Sequence, residues 1–341
     1  MAIHQVVAER YYRTFSRSHA VLAKIRPGDT VRTKTVDSGG QDDDGAHKSE
    51  PGNPLTGAFH VAGAEPGDAL AVHFRRIRCN RNWGYTSYRL GLWALSPDTV
   101  EGIYSDQYKA DLIRKGRSNI VPWEIDLKGR YAHLREPATK AARLRFPVRE
   151  MLGCVGVAPA GDFAPTSGPS GSWGGNIDYN EIAEGSTVYL PVYHPGAFLF
   201  VGDGHAVQGD GEPLGTGIET SMDVEFSVDL KKKYALTGPR VETADAIISV
   251  GSQPEFSSSL DRGLQMATSD MVRWLCSDYG FEPWEGHLLI GMVGRYDVVT
   301  VAGSMALRIG KRYLPTARPA GNGPAGKRKN AQTGKKRGAK R

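Results

Sequence analysis

The spacing of glycine and proline constrains this chain more than any other feature of its sequence. Its 341 residues include 42 glycines and 20 prolines, which interrupt the sequence every several residues without a collagen-like or low-complexity period. Because both residues are poorly tolerated inside helices and strands, they separate short elements from one another. The pattern is typical of a protein built from many short strands and turns.

Several segments between these breaks have the composition of β-strands. The alternating segments TVRTKTVDS and ALAVHFRRIRC each follow a PGD turn. Between Phe146 and Leu230 the sequence is again rich in strand-forming residues. The predicted strands there are MLGCVGVAP, EGSTVYLPVY, AFLFVGDGHAV and SMDVEFSVDL. The pattern from Trp83 to Arg143 is irregular and permits no assignment.

One helix is predicted with well-defined ends. Apolar residues recur at three- and four-residue spacing from about Ser259 to Tyr279, Ser258 or Ser259 can cap the start, and Gly280 suits the position after the end. A second, shorter helix is predicted after Trp284 in EGHLLIGMVG, with a strand as the alternative.

The net charge of +6 arises in the C-terminal tail. Residues 316–341 contain nine Lys or Arg residues and no acidic residue, which leaves 34 basic against 37 acidic residues, a charge of −3, for the rest. A body near neutrality is unlike a surface that binds phosphate backbones, so nucleic acid is expected to contact the tail alone, and weakly. We therefore predict one folded domain over residues 1–315 and a disordered basic tail over residues 316–341.

The cysteines and the N-terminus predict a cytoplasmic location. Cys79, Cys154 and Cys276 are too few and too far apart for a disulfide framework or a cysteine-rich zinc site. Glu9 and Arg10 interrupt the N-terminal region where a signal peptide needs an apolar run. The most apolar stretch, YLPVYHPGAFLFVG, is too short and too broken to span a membrane, so no membrane association is expected.

The segment VGDGHAVQGDGE contains the strongest chemical signal. If Asp203 and His205 lie on one strand, their spacing directs both side chains to the same face, and Asp210 and Glu212 repeat that spacing. Two such pairs can form half of a divalent-metal site, or a carboxylate–histidine pair for proton transfer. The alternative interpretation is a pair of tight turns in which each aspartate caps its own backbone.

Four further residues bear on the site. Asn176 and Asp178 follow a glycine-rich loop whose backbone N–H groups can converge on an oxyanion, although such loops are also common as mobile surface segments. Asp37 ends a predicted strand, from which it can reach a site at the rim or close a turn. Cys154 has apolar neighbours and nothing nearby that would lower its pKa, so it is expected to be buried rather than nucleophilic.

Five ordered motifs between Met151 and Val228 resemble the acetamidase/formamidase family: GCVGVAPA, GGNID, EGSTVYLPV, GDGHAVQGDGE and GTGIE. The earlier segments VDSGGQ and NPLTGAFHVAGAEPGDALAV also resemble its N-terminal pattern. The resemblance implies hydrolysis of short linear amides of the formamide or acetamide type to a carboxylate and ammonia. It further implies homo-oligomers and a mainly β fold, with a jelly-roll or β-sandwich-like core and additional α+β elements.

The positions that match the family motifs supply a hypothetical mechanism. In it, His205, Asp203 and Asp178 hold a divalent metal, zinc by preference or else calcium, which activates a water molecule. Glu212 transfers the proton of the water to the leaving nitrogen, and Asn176 stabilises the oxyanion. The set of predicted catalytic residues is Glu212, Asp37, Asn176 and Asp210. A metal-free carboxylate–histidine mechanism remains open.

A non-catalytic function is the alternative. A β-sandwich with this sequence could bind a metal or a carbohydrate, with the basic tail in contact with anionic partners. The dense group of His, Asp and Glu residues argues against a sugar-binding surface, which needs exposed aromatic residues.

Overall fold

Two large β-sheets dominate the computed structural model, which describes residues 1–87, 94–99, 120–137, 139–252 and 259–317. The first sheet has nine strands, in the order β1 (Ile3–Gln5), β3 (Thr30–Thr35), β16 (Met222–Lys231), β5 (Ala69–Cys79), β13 (Thr187–Pro191), β17 (Arg240–Glu242), β18 (Ala246–Gly251), β20 (Ser304–Gly310) and β19 (Arg295–Thr300). Its pairs are antiparallel except for β1 with β3.

The second sheet has eleven strands. Its main path runs through β11 (Ser170–Gly171), β12 (Gly174–Asn176), β10 (Met151–Val157), β14 (Leu199–His205), β15 (Glu219–Thr220), β6 (Trp83–Ser87), β7 (Ile120–Asp126), β8 (Tyr131–Leu134) and β9 (Phe146–Pro147). Beside this path, β4 (Leu55–Val61) pairs with β14, and β2 (Ala23–Ile25) pairs in parallel with β4. Every strand predicted from the sequence is present within these two sheets.

The main apolar core lies where the two sheets face each other. Phe226 of β16 in the first sheet contacts Phe59 of β4 in the second edge to face, with 5.3 Å between ring centroids, and both rings are fully buried. Strands β10 and β14 are buried along their whole length. Polar side chains on β14 therefore lie in the interior of the protein, where they need partners.

A helical layer covers the outer face of the first sheet near β18 and β20. It consists of α1 (Leu260–Trp274), a π-helical turn (Leu275–Tyr279) and α2 (Pro283–Val293), with short 3₁₀ helices at Lys140–Ala142 and Lys311–Tyr313. A second apolar cluster joins Met271 and Trp274 of α1 to Ile247 and Leu307 of the sheet. No helix of the described residues is long and apolar enough to cross a membrane.

The structure confirms the mainly β class with additional helical elements, and both predicted helices. The side chain of Ser259 caps α1 by accepting a hydrogen bond from the Arg262 backbone N–H, and Gly280 follows the π-helical turn with a φ of 78°. Ser258, the alternative cap, lies outside the described residues, as do residues 318–341. The predicted division between residues 315 and 316 therefore stays a prediction.

Candidate active site

Strand β14 carries Asp203 and His205 into the interior of the second sheet. The two side chains point to the same side, as their spacing predicts, and His205 Nε2 lies 3.5 Å from Asp203 Oδ1. Strand β15 pairs with β14 so that Glu219 stands opposite His205. Glu219 Oε1 lies 3.0 Å from His205 Nε2. The sheet thus places one imidazole between two carboxylates.

Two more carboxylates reach the same point from loops. Asp178 follows β12, and its carboxylate forms a group with those of Asp203 and the ring of His205 whose ligand atoms all lie within 4.8 Å of one another. Glu212, in the loop after β14, forms a second such group with His205 and Glu219. We call these five residues the carboxylate–histidine cluster.

The cluster contains buried polar atoms that lack hydrogen-bond partners within the described part of the chain. They are Asp178 Oδ1, Asp203 Oδ1, His205 Nε2 and Glu219 Oε2. Leaving one such atom unsatisfied costs about 1–3 kcal/mol, so four that converge on one place indicate a ligand that pairs with them. Three carboxylate oxygens and one imidazole nitrogen form a ligand set that suits a divalent cation.

Burial and mutual repulsion alter the acidity of these groups. Burial, reinforced by the charges of Glu212 and Asp203, raises the pKa of Asp178 well above its ordinary value. Burial also raises the pKa of Glu219 to about 8, with Asp203 adding to this effect and His205 opposing it. Burial alone would lower the pKa of His205, but the charges of Glu219 and Asp203 outweigh it and raise this pKa. The cluster therefore favours bound positive charge, whether protons or a cation.

Two glycines leave space that the cluster occupies. A Cβ atom on Gly153 of β10 would lie 2.3 Å from Asp178 Oδ1 and 2.5 Å from Asp203 Oδ2. A Cβ atom on Gly217 would lie 2.6 Å from the ring of His205. Any larger residue at either position would displace a member of the cluster.

A network of side-chain amides orients the carboxylates. Asn53 Nδ2 donates to Asp203 Oδ2 and to Asn176 Oδ1, both at 3.2 Å. Asn176 in turn donates from its own amide nitrogen to Asp178 Oδ2. Asn176 therefore lies beside the cluster as its motif suggested, and one of its two N–H groups holds Asp178.

Cys154 of β10 also belongs to this hydrogen-bond network. Its thiol donates to Asn176 Oδ1, with 2.9 Å between Sγ and oxygen. Burial, with the nearby charge of Asp203, raises the pKa of the thiol well above its usual value. Because a nucleophilic cysteine needs a thiolate, this buried thiol acts as a hydrogen-bond donor, in keeping with the sequence-based expectation.

Asp37 and Asp210 do not belong to the cluster. Asp37 is fully buried in an ion pair with Arg81, 2.5 Å between carboxylate and guanidinium, and also accepts a hydrogen bond from the Gln41 backbone. Asp210 is exposed and accepts from Asn180 Nδ2 at 2.7 Å. Asp210 and Glu212 lie in the loop after β14 rather than on a strand, so they do not repeat the arrangement of Asp203 and His205.

Glu219 and Asn53 were not identified from the sequence. Glu219 is the last residue of the GTGIE motif, and that motif is the signal that could have revealed it. Asn53 precedes Pro54 at the end of the loop between β3 and β4, where its φ of 51° and its contact with Asp203 depend on folding that no local pattern predicts.

The structure also contains a groove of about 820 Å³ that is separate from the cluster. Strands β1, β3 and β16 line it, together with part of the loop between β3 and β4. Its charged residues pair with each other, for example Arg32 with Glu225 and Lys34 with Asp43. Among the described residues that line the groove, Thr33 Oγ1 is the one buried side-chain atom without a hydrogen-bond partner, whereas four such atoms converge in the cluster.

Comparison with known proteins gives consistent results. A protein-family model described as "Acetamidase/Formamidase family" matches residues 4–168 and 164–261 of the sequence. A formamidase of Methylophilus methylotrophus is 26% identical over 279 residues, 64% of this chain and 64% of that protein. An acetamidase of Mycolicibacterium smegmatis is 27% identical over 225 residues, 53% of this chain and 54% of that protein. The chain thus spans less than two thirds of the length of these curated relatives.

Solved structures match over a larger share of their length. The crystal structure of an acetamidase from Yersinia enterocolitica is 27% identical, with a TM-score of 0.74 over 92% of this chain and 93% of that chain. The crystal structure of an acetamidase from Bacillus halodurans is 26% identical, with a TM-score of 0.72 over 91% of this chain and 98% of that chain.

Proposed function

The chain belongs to the acetamidase/formamidase family, and from this membership we propose that it hydrolyses the C–N bond of short linear amides to a carboxylate and ammonia. The observation that carries the proposal is the carboxylate–histidine cluster, with its four unpaired atoms on buried side chains. Its carboxylates can accept hydrogen bonds from the N–H groups of a primary amide. The family match does not favour the alternative of a non-catalytic binding module.

The proposal includes a divalent cation held by His205, Asp203 and Asp178. These three side chains are buried, and each carries a ligand atom that has no hydrogen-bond partner in the described structure. Zinc is the first candidate because of the imidazole, and calcium is the second because oxygen ligands predominate. Glu219 is a further candidate ligand, since its free Oε2 belongs to the same set of unpaired atoms. When bound, such a cation acts as a Lewis acid that stabilises negative charge and makes water more acidic.

The residues of the chain move the protons in this proposal. Glu212 is only half-buried, and its carboxylate lies close to His205, so it can take a proton from the attacking water. As the water oxygen bonds to the carbonyl carbon and the C–N bond breaks, the same carboxyl group returns the proton to the leaving nitrogen. The second N–H group of Asn176 can stabilise the oxyanion.

Asp37 and Asp210 contribute through the loops in this proposal. The ion pair of Asp37 with Arg81 anchors one end of the loop that carries Asn53. Asp210 fixes the loop of Glu212 through its bond to Asn180. Both residues act as positioning groups for side chains that reach the cluster.

The first experiment is to measure ammonia release from formamide, acetamide and propionamide before and after chelation and metal add-back. Release that stops with chelator and returns with one metal supports hydrolysis assisted by a cation. Release that is indifferent to metal supports the metal-free carboxylate–histidine mechanism. No release from any of these amides by folded protein would overturn the proposed function.

The proposal also covers assembly and location. We expect a homo-oligomer, as the resemblance to the family implies, that acts in the cytoplasm. Light scattering of the purified protein tests the assembly, and a monomer across the working concentration range would contradict it.

A further inference from the structure

The loop after β14 places Gln208 against the side of His205 that faces away from the carboxylates. Gln208 Oε1 lies 2.7 Å from His205 Nδ1. On its other side, Gln208 Nε2 donates to the backbone carbonyl oxygen of Asp178 at 2.6 Å. This single side chain therefore joins two members of the cluster that are 27 positions apart in the sequence.

The chemistry of these contacts determines which ring nitrogen carries a hydrogen. The carbonyl oxygen of Asp178 can only accept a hydrogen bond, so the NH₂ end of the Gln208 amide must face it. The oxygen end then faces His205 Nδ1, and because this oxygen also only accepts, Nδ1 must be the donor. In a neutral imidazole the remaining nitrogen, Nε2, then presents a lone pair.

The position of that lone pair matches the rest of the cluster. His205 Nε2 is buried without a hydrogen-bond partner in the described structure, 3.0 Å from Glu219 Oε1 and 3.5 Å from Asp203 Oδ1. A lone pair among acceptor oxygens is repelled unless a cation or a proton lies between them. Nε2 is thus the ring atom at which either can bind.

Gly217 restricts the ring independently. Since a Cβ atom there would lie 2.6 Å from Cγ and Nδ1 of His205, the backbone at this point packs closely against the imidazole. Rotation of the ring is therefore hindered by packing, and the choice of tautomer is left to the hydrogen bond with Gln208.

We infer that Gln208 is a positioning residue that keeps Nδ1 of His205 protonated, so that His205 binds a cation or exchanges a proton through Nε2 alone. The arrangement deepens the proposed function, on which its catalytic importance rests. It also implies that the two overlapping groups of candidate ligands share a single nitrogen and hold one histidine-bound cation, rather than two.

The direct test is the tautomer of His205 in the full chain freed of metal, read by ¹⁵N NMR of histidine-labelled protein. The His205 signals are assigned by their loss in His205→Gln. Because the neighbouring carboxylates raise the pKa of His205, the spectra are recorded at a pH high enough for the ring to be neutral, where the inference predicts that its single proton lies on Nδ1. A neutral ring with its proton on Nε2 in the unsubstituted protein would overturn it, whether or not the protein hydrolyses amides.

Two substitutions distinguish the effect of the Gln208 hydrogen bond on the His205 tautomer from the effect of packing. Gln208→Met keeps the length of the side chain but cannot accept from Nδ1, so we expect part of the neutral His205 population to move its proton to Nε2. Gln208→Glu keeps an acceptor oxygen and should retain the Nδ1 proton. An unchanged tautomer in Gln208→Met, or a changed one in Gln208→Glu, would show that Gln208 does not act as the acceptor.

Affinity for zinc or cobalt(II), measured by calorimetry, gives a second readout. Loss of a group that orients a ligand weakens metal binding by roughly 10- to 100-fold, which we expect for Gln208→Met. Gln265→Met in the exposed face of α1 is the matched control and should bind as tightly as the unsubstituted protein. Equal affinity in Gln208→Met and the control, with thermal unfolding unchanged in both, would contradict the inference.

Discussion

At the scale of single residues, a substitution of Glu219 can distinguish a chemical role of its carboxylate from a role in packing. It is buried beside His205, and glutamine in its place keeps the volume but removes the ionisable group. If Glu219 takes part in binding the cation or in moving protons, Glu219→Gln should lower kcat/KM for acetamide by about 10²- to 10⁴-fold. Ammonia release at several substrate concentrations measures this change.

The matched control is Glu225→Gln on β16, whose side chain forms a surface ion pair with Arg32. Because exposed pairs contribute little, this variant should keep the activity of the unsubstituted protein. Full activity of Glu219→Gln would instead show that Glu219 only fills space beside His205.

His205 provides the strictest test of the site. His205→Ala removes the single imidazole of the cluster and should lower turnover by at least about 100-fold, comparable to the loss of one stabilising group in other active sites. Circular dichroism and thermal unfolding should show that the two sheets remain folded. Turnover retained in a folded His205→Ala protein would exclude the proposed role of this residue.

The sequence predicted those site residues that share a strand or a short motif. Asp203 and His205 follow from the period of a β-strand, and Asn176 and Asp178 from a glycine-rich segment. Glu219 and Asn53 join the site through pairing of β15 with β14 and through the end of a long loop. Such contacts are set by the tertiary fold, which local spacing does not encode.

At the scale of elements, β10 supports the cluster by presenting a glycine to it. Gly153→Ala places a methyl group within 2.3 Å of Asp178 Oδ1, so at least one carboxylate has to move. We expect the variant to fold, since Gly153 has no positive φ, but to lose most of the proposed amide hydrolysis and cation affinity. Misplacement of a reacting group by about 1 Å can cost roughly 100-fold in rate.

Gly209→Ala is the matched control, in the loop that follows β14. A Cβ atom there meets nothing within 4 Å, and the residue has no positive φ. Its activity and thermal unfolding should equal those of the unsubstituted protein. Equal activity in both alanine variants would show that the carboxylates need not hold their observed positions.

The turn that leads into β5 depends on an ionised aspartate. Asp68 accepts hydrogen bonds from the backbone N–H groups of Glu65 and Lys233, both at 2.9 Å, and from the Lys232 ammonium. Burial alone would raise the pKa of Asp68, but these donors outweigh it and lower this pKa. Since the folded pKa is below the unfolded one, the contribution to stability is present above the unfolded pKa and is lost as the pH falls through the folded one.

Asp68→Asn should therefore lower the free energy of unfolding at pH 7 by about 1–3 kcal/mol. The difference from the unsubstituted protein should shrink as the pH falls below about 4, where the carboxyl group begins to take up a proton. Urea unfolding at pH 7 and pH 3 measures both values. A difference that grows toward low pH would contradict this account, and Asp229→Asn, which alters an exposed carboxylate, is the control.

Elements were predictable where their pattern is periodic and their ends are marked. The caps of α1 and the alternation of β3 meet both conditions, and the structure confirms both elements. The hairpin of β19 and β20 also supports the site, because Val301 N donates to Gly211 O at 2.7 Å and Tyr179 donates to Asp297 at 2.5 Å. Neither contact could be predicted, since each joins segments that are distant in the sequence.

At the scale of the whole molecule, the two sheets have different roles: the first mainly supports packing, and the second contributes side chains to the site. The first sheet carries the helical layer and packs Phe226 against the second sheet. The second sheet contributes Asp203, His205 and Glu219 from adjacent strands that are buried between other elements. Burial raises the electrostatic cost of the carboxylates and at the same time strengthens their attraction for a cation.

The positive charge of the molecule is concentrated in its C-terminal tail. All nine basic residues of the tail lie in residues 318–341, so removing that segment changes the net charge from +6 to −3. Because all five residues of the cluster lie within the described part of the chain, we expect the shortened chain to keep the proposed amide hydrolysis. Its retention on heparin should fall, and the retention of the full chain should decrease steeply with salt.

These two measurements distinguish an amidase with an accessory tail from a protein whose main function is to bind anions. Loss of ammonia release on truncation, in protein that unfolds at the same temperature, would show that the tail takes part in catalysis. Retention on heparin that is unchanged by truncation would place the anion-binding surface on the body, against its charge of −3. If the shortened chain still hydrolyses amides but no longer binds heparin, the tail has a purely electrostatic role. Nine clustered positive charges can bind any polyanion without a folded surface.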